Sequence, residues 1–284
     1  MTGNELVNLD KMSNEEIMKA IGQDSGSEVG PSVPRLGINR NPEDDSGNRL
    51  PIGSFFIYDS SIGENVYGLP VTFRPFISAM QYMHFDPEKN EYVNRSVIFR
   101  NWKDEAIDLQ GGTKCGKVTR KEMEDLTPEQ QAIQRQIRCY RLLYGLVSFE
   151  GKKANGESHT LKNVPALWRV TGTGFRPVQD AVEKTKRVKK LMFTLNFILK
   201  SKKQKKGSNV FYVPIIDVDS SVNIAMSEDD KATYNVFQDI IKAENEEVAS
   251  LWKTARSKAP TASDGSSAKI VKNVEENPVE ILSK

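Results

Sequence analysis

Short runs of alternating apolar and polar residues fill the middle of this chain, and most runs end in a cluster of turn formers. The first spans residues 52–58, carries Phe55 and Phe56, and follows the turn-rich stretch 41–47. Residues 65–76 and 79–85 read as a second strand pair or one long bent strand. Pro70 and Pro75 mark edges or bulges there, because proline cannot donate to a ladder. Residues 86–90 form a turn and 92–102 return. Further strands are expected at 140–149, 166–170, 191–199 and 210–216, with polar turns at 151–163 and a break at Gly172 and Gly174. Structured sequence begins near Leu36.

Helical periodicity interrupts this pattern in four places. Thr127 caps a helix with Pro128 at its first position and Gln130 at the box position, and Ile133 and Ile137 carry it towards the strand at 140. A second helix enters through Pro177 over 175–184. A third starts in the capping stretch 227–231 and runs from Ala232 to about Lys253, with Phe237, Ile240, Ile241, Val248 and Leu251 at helical spacing. Ser13 and Glu16 form a capping box for a short helix over 13–22. The predicted organisation is therefore residues 1–34 as short helix and flexible linker, 35–253 as the folded domain, and 254–284 as a disordered tail. The fold class expected is mainly β with α: an OB-like antiparallel barrel with an inserted loop-helix segment (polar loop 104–121, then the Thr127 helix) and a C-terminal helix.

Charge changes this picture more than composition does. The formal net charge of the 284 residues is only +2, yet residues 184–206 hold ten cations and no carboxylate. They are Lys184, Lys186, Arg187, Lys189 and Lys190, then Lys200, Lys202, Lys203, Lys205 and Lys206. The second group reads as a lysine-studded turn between two apolar strands, a hairpin with a positive tip. A polyanion suits such a surface, nucleic acid above all; a loop that only resists aggregation is the plainer alternative. Acid lies downstream: residues 227–249 carry seven Asp or Glu against two Lys. That helix is either a solvated face, a competitor for the basic hairpin, or a partner-recruiting surface.

Enzymatic signatures are sparse. No phosphate-cradling GxxxxGK[ST] loop occurs, and Gly172 and Gly174 lack the third glycine and long preceding strand of a dinucleotide site. Asp217 and Asp219 could serve a two-metal nuclease, or be ordinary strand-end aspartates. His84 and His159 show no metal-ligand spacing, and Cys115 and Cys139 read as unlinked thiols. The N-terminus lacks the basic-then-apolar pattern of an export signal and no apolar run can cross a bilayer, so a cytosolic setting is expected.

Binding signatures are richer, since single strands are held by basic grooves with aromatic faces, each stack contributing roughly 1–3 kcal/mol. Cations adjoin aromatics at Arg74, at Arg100 with Trp102, at Arg138 with Tyr140 and Arg141, at Trp168 with Arg169, at Arg176 and, in Tyr92 and Arg95, near the turn at 86–90. Tyr212 follows Phe211 in the return strand of the hairpin. Strand neighbours point to opposite faces, so such aromatics can equally be core. Phe193, Leu195, Phe197 and Leu199 are expected inside, as are Phe55, Phe73 and Phe99. Tyr82, Tyr92, Trp102, Tyr140, Trp168 and Tyr212 are the stacking candidates.

The order of a strand-rich centre, the segment 138–147, the element 167–177 and the lysine hairpin with its Phe211, Tyr212 and Val213 return strand resembles bacteriophage single-stranded DNA-binding proteins over residues 36–220. That resemblance implies an OB-type fold, non-enzymatic binding of replication intermediates in the cytoplasm of the bacterial host, and contact with replication or recombination proteins. The chain departs from the family at its end: Lys284 is basic, and neither a compact acidic tip nor a terminal aromatic is present. Single-stranded DNA is thus the expected partner, with no cofactor and no membrane. A structural or assembly protein of a virion is the alternative.

Overall fold

The computed structural model describes residues 33–258. The helix expected at 13–22, most of the linker after it and the tail beyond 258 lie outside the described residues. Among the described residues nine strands and three α-helices follow in chain order: β1 (Arg35–Ile38), β2 (Phe55–Asp59), β3 (Glu64–Gly68), β4 (Val71–Asp86), β5 (Glu91–Arg95), α1 (Pro128–Gln136), β6 (Ile137–Lys152), β7 (Ser158–Val170), α2 (Phe175–Arg187), β8 (Asn196–Lys206), β9 (Asn209–Asp219) and α3 (Glu228–Lys258). The architecture is mainly β, a mixed sheet with a C-terminal helix. Strand order is β3-β2-β1-β7-β6-β4-β8-β9, with β5 on β4. All pairings are antiparallel except β1 with β7, where Leu36 stands opposite Trp168. Strand β3 also meets β6 at Tyr67 and Lys152, so the path β3-β2-β1-β7-β6 returns to its start.

The 16-residue strands β4 and β6 are the spine. Pro75 is accommodated in β4 because the register shifts between Pro75 and Ile77, a bulge where no ladder donor is required. Gly145 opposes it, and a Cβ there would collide with the Arg74 carbonyl. Strand β6 reads as a nearly continuous apolar run because both its faces are covered. Leu143 and Val147 join the core between sheet and α2, with Phe55, Phe73, Trp168, Phe197, Leu199 and Val178. Leu142, Tyr144 and Leu146 face the opposite side, beneath α3.

Helix α3 is fastened by apolar and polar contacts together. Phe237 packs against Phe76 and Tyr144 with ring centroids 6.2 and 5.5 Å apart. The Asn245 amide accepts from the Ile98 backbone N–H at 2.6 Å and donates to the Ile98 carbonyl at 2.9 Å, acting as a strand partner. At the N-terminus Ser227 and Asp230 exchange capping bonds of 2.9 and 3.1 Å. Asp230 also takes Arg74 Nη1 at 2.9 Å, while Arg74 Nε and Nη2 donate to the carbonyls of Phe193 and Ala225.

Several boundaries differ from the sequence expectation. The Thr127 capping box is present, but the helix stops at Gln136 and Ile137 starts β6 directly. Most of 151–163 is strand, because β6 and β7 extend as a hairpin with its turn at 153–157. Residues Met192–Thr194 form a 3₁₀ turn, so β8 begins only at Asn196, and Phe193 is half-buried. The return strand at 92–102 ends early, at Arg95. Helix α3 continues past Lys253 to Lys258, into the stretch expected to be tail; Trp252 is buried in it while Leu251 is 43% exposed. Pro34, assigned to the linker, accepts a bond from the Leu167 backbone N–H.

Burial alone would raise the Asp230 carboxyl, but the Ser227 backbone N–H and Arg74 outweigh it and hold it below its ordinary 3.8. Its folded pKa is the lower one, so this contribution is present above pH 4 or so and vanishes as pH falls through the folded value. Asp230→Ala is expected to cost about 3–5 kcal/mol by leaving Arg74 buried and unpaired, and the double variant Arg74→Met with Asp230→Leu to recover most of it. Urea unfolding at pH 7 checks both; a single variant as stable as the parent contradicts the assignment.

Candidate nucleic-acid interface

Strand β8 pairs with β4 over only three positions, Phe197, Ile198 and Leu199 opposite Phe73, Thr72 and Val71. It pairs with β9 over its whole length, from Asn196 opposite Asp219 to Lys206 opposite Asn209. Beyond Leu199 the hairpin is therefore a two-stranded ribbon without a neighbour on the β4 side. The lysines predicted to form a turn lie instead on the ribbon's strand; the turn itself is Gly207 and Ser208, with Gly207 at φ 62. Pairing with an apolar partner strand overrides the poor strand preference of lysine.

Alternation then sorts the charges. Lys203 and Lys205 share a face with Tyr212 and Val210, while Lys200, Lys202 and Lys206 share the other with Ile215, Val213 and Asn209. Same-face neighbours stand about 7 Å apart. All five are exposed, and only Lys200 meets a carboxylate of the described residues, Asp217 at 3.5 Å. The ribbon is buttressed at its base: the Tyr212 ring lies on Gly53, where a Cβ would intrude on it, and Ser201 donates to the Gly53 carbonyl.

The other five cations of the basic stretch lie elsewhere. Helix α2 runs along β9 from its cap Gly174, beside Pro214, and in the turn after it the Lys190 ammonium donates to the carbonyls of Ser220 at 2.7 Å and Val222 at 3.0 Å. Eleven residues of extended chain separate Ser220 from Asn209, about 36 Å. The single basic run of the sequence thus becomes two clusters at opposite ends of a hairpin. Lys190 is a clasp, Arg187 reaches Glu183 at 3.8 Å, and Lys184, Lys186 and Lys189 are exposed.

Three expected contact residues belong to the interior instead. Trp168 is buried against Phe55 and Phe73. Arg74 holds α3. Arg141 is buried over the Phe175 ring, bonded to Ser78 and Gln179. In each the strand's inward face took the residue, which side-by-side aromatic and cation cannot reveal. Trp102 by contrast is 53% exposed and touches Phe99 and Phe175. Phe175 follows Gly174, which is buried against Pro214 of β9, so the Trp102–Phe175 ring contact stands at the N-terminus of α2. Arg100 and Arg138 are exposed, the former donating to Gln238 at 2.8 Å, and Arg176 pairs with Asp180. Tyr82 lies stacked on Phe99 and is half-buried.

On the face shared with α3 a cleft of about 330 Å³ opens between β1, β4, β7 and the helix, lined by Arg35, Arg95, Arg169, Tyr92, Tyr144 and Glu244. The Arg169 guanidinium sits between the rings of Tyr92 and Tyr140, 5.5 and 5.2 Å from their centroids, and the two hydroxyls are 3.2 Å apart. Burial, and then the charge of Arg35, lower the Arg169 pKa; burial and the Tyr92 bond push Tyr140 up to about 12. Sequence reading missed Arg35, which has no aromatic beside it in the chain and reaches the cleft only through the parallel β1–β7 pairing.

Among the described residues no three His, Cys, Asp or Glu side chains stand close enough to share a metal ion. Asp219 accepts from Ser221, and Asp217 faces Lys200. Cys115 and Cys139 are free thiols whose pKa values burial raises. No helix among these residues is long and apolar enough to cross a membrane. Comparison with known proteins finds no matching family model, no matching curated protein and no matching solved structure.

Gly53 combines φ 85 with the Tyr212 ring overhead. Gly53→Ala is expected to lose at least about 1–2 kcal/mol from the backbone conformation alone. It should also lift Tyr212 from the base of the ribbon, visible as shifted Tyr212 ring signals by NMR. Unchanged stability and unshifted signals contradict the buttress.

Proposed function

We propose that this protein binds single-stranded DNA, largely irrespective of sequence, through the β8–β9 ribbon and neighbouring exposed aromatics. The observation that carries the reading is the ribbon itself: four lysines, Lys202, Lys203, Lys205 and Lys206, stand exposed on a two-stranded projection and form no ion pair with any described residue. Lysines that neutralise phosphates along this ribbon release condensed counterions, which supplies affinity without base recognition. Bases then stack on the exposed Trp102, favouring unpaired strands over duplex. The strand path that returns on itself supports an OB-like barrel as the scaffold. The likeness in order and texture to phage single-stranded DNA-binding proteins supports a role in protecting replication or recombination intermediates within the bacterial host, alongside replication or recombination proteins.

One observation favours the virion-assembly alternative. The outer edge of β9 pairs with no described strand, and Val210 and Ile215 are exposed on that strand. Such an edge can template self-association. Size-exclusion chromatography separates the two: large assemblies indifferent to added oligonucleotide favour assembly.

Trp168 and Trp252 are buried, so Trp102 is the tryptophan that reports on a ligand. Oligo-dT is expected to quench its fluorescence, with log affinity falling linearly in log salt. Replacing Lys202, Lys203, Lys205 and Lys206 together by Ala should shrink the slope by up to about 3, near 0.7 per phosphate lost. An unchanged slope, or duplex bound as well as single strand, overturns the proposal.

A further inference from the structure

Within the cleft between β1, β4, β7 and α3, positive charge exceeds what the described residues neutralise. Arg95 is matched by α3: Nη2 lies 2.7 Å from Glu247, and Nε, buried and without a hydrogen-bond acceptor, lies 3.4 Å from Glu244. Glu244 is further engaged by Gln81 at 2.7 Å. Arg35 and Arg169 form no ion pair with any described residue. Arg169 is held between two tyrosine rings with one donor near a thioether, Met83 Sδ at 3.4 Å, and its remaining donors meet no acceptor among the described residues. A half-buried guanidinium fixed by stacking, rather than by a carboxylate, is pre-organised for an incoming anion. Against Glu244 and Glu247 the three guanidiniums leave one positive charge in excess, with Arg35 and Arg169 outside the ion pairs, and the two together can hold the oxygens of a phosphate monoester.

The remainder of the cleft is aromatic. Tyr92 is 44% exposed at its mouth, and Tyr144 lines its floor. The volume is at the small end of ligand pockets, enough for one nucleotide unit rather than a folded polymer. We propose that this cleft binds the phosphate monoester of a nucleotide, with Arg35 and Arg169 on the phosphate and Tyr92 beside the base. The phosphate comes either from a free mononucleotide or from the phosphorylated end of a strand. The site is distinct from the lysine ribbon, and the inference rests on the preceding functional reading only for the class of ligand. Sequence patterns point to Arg169, Arg95 and Tyr92 separately but not to Arg35 or to their grouping, because the cations come from β1, β5 and β7.

The test uses the full chain and dTMP, with thymidine and inorganic phosphate as controls, followed by thermal shift and isothermal titration. Saturable dTMP binding is expected, with thymidine giving none. Arg35→Gln, at an exposed side chain that forms no ion pair with any described residue, should fold normally and weaken dTMP by about tenfold or more. Arg169→Gln should abolish it. The fourfold lysine variant should bind dTMP like the parent, which separates this site from the ribbon whatever its effect on oligo-dT. Comparing 5′-phosphorylated with unphosphorylated oligo-dT identifies the source: a preference for the phosphorylated strand marks strand ends, and equal affinity with dTMP binding retained marks the free nucleotide. No saturable dTMP binding, or Arg35→Gln binding as tightly as the parent, overturns the proposal.

Discussion

The short pairing of β8 with β4 is the constraint on which the rest depends. Three residue pairs anchor Phe197 and Leu199 in the core, and after Leu199 the strand loses its neighbour on that side. Had β4 continued alongside, the lysines would lie on a central strand, half of them facing the core. Release at Leu199 lets the same alternation that buries Phe197 place Lys203 and Lys205 on one open face, and Lys200, Lys202 and Lys206 on the other. Gly53 beneath Tyr212 then sets where the ribbon leaves the sheet.

A second consequence concerns charge segregation. The acidic helix α3 could have folded onto the lysines and neutralised them. Three of its carboxylates are instead taken by arginines of the sheet, Asp230 by Arg74 and Glu244 and Glu247 by Arg95, while Glu228 and Glu246 pair with Lys231 and Lys242 of the helix itself. Those arginines lie on the opposite face from the α2 core, where Phe237 and Ile241 give the helix its apolar seat. Intramolecular pairing is thus satisfied on one face while the ribbon keeps an unneutralised field. The near-zero net charge of the whole chain conceals this division.

Local rules were legible where local physics decides. The Thr127, Pro128 and Gln130 helix start, the Ser227 cap and the inward alternation of Leu195, Phe197 and Leu199 could all be read from neighbouring residues. What could not be read came from distance in the chain. Arg74 looks like a groove cation until Asp230, 156 residues later, closes on it. Trp168 looks like a stacking platform until β1 pairs beside it in parallel and Phe55 and Phe73 enclose it. Lysines at 200–206 look like a turn because charge and weak strand propensity signal one. Only the apolar strand from Val210 onward, matching them pair by pair, makes them a ribbon. Lys190 looked like part of one basic surface, but its ammonium is committed to two carbonyls at the far end.

Lysine-selective labelling followed by mass spectrometry, with and without oligo-dT, tests the central claim directly, since each ammonium reports for itself. The account predicts that Lys202, Lys203, Lys205 and Lys206 become strongly protected while Lys231 and Lys242 on α3 label at an unchanged rate. Equal labelling of the ribbon lysines in both states, under conditions where the oligonucleotide is bound, would contradict it.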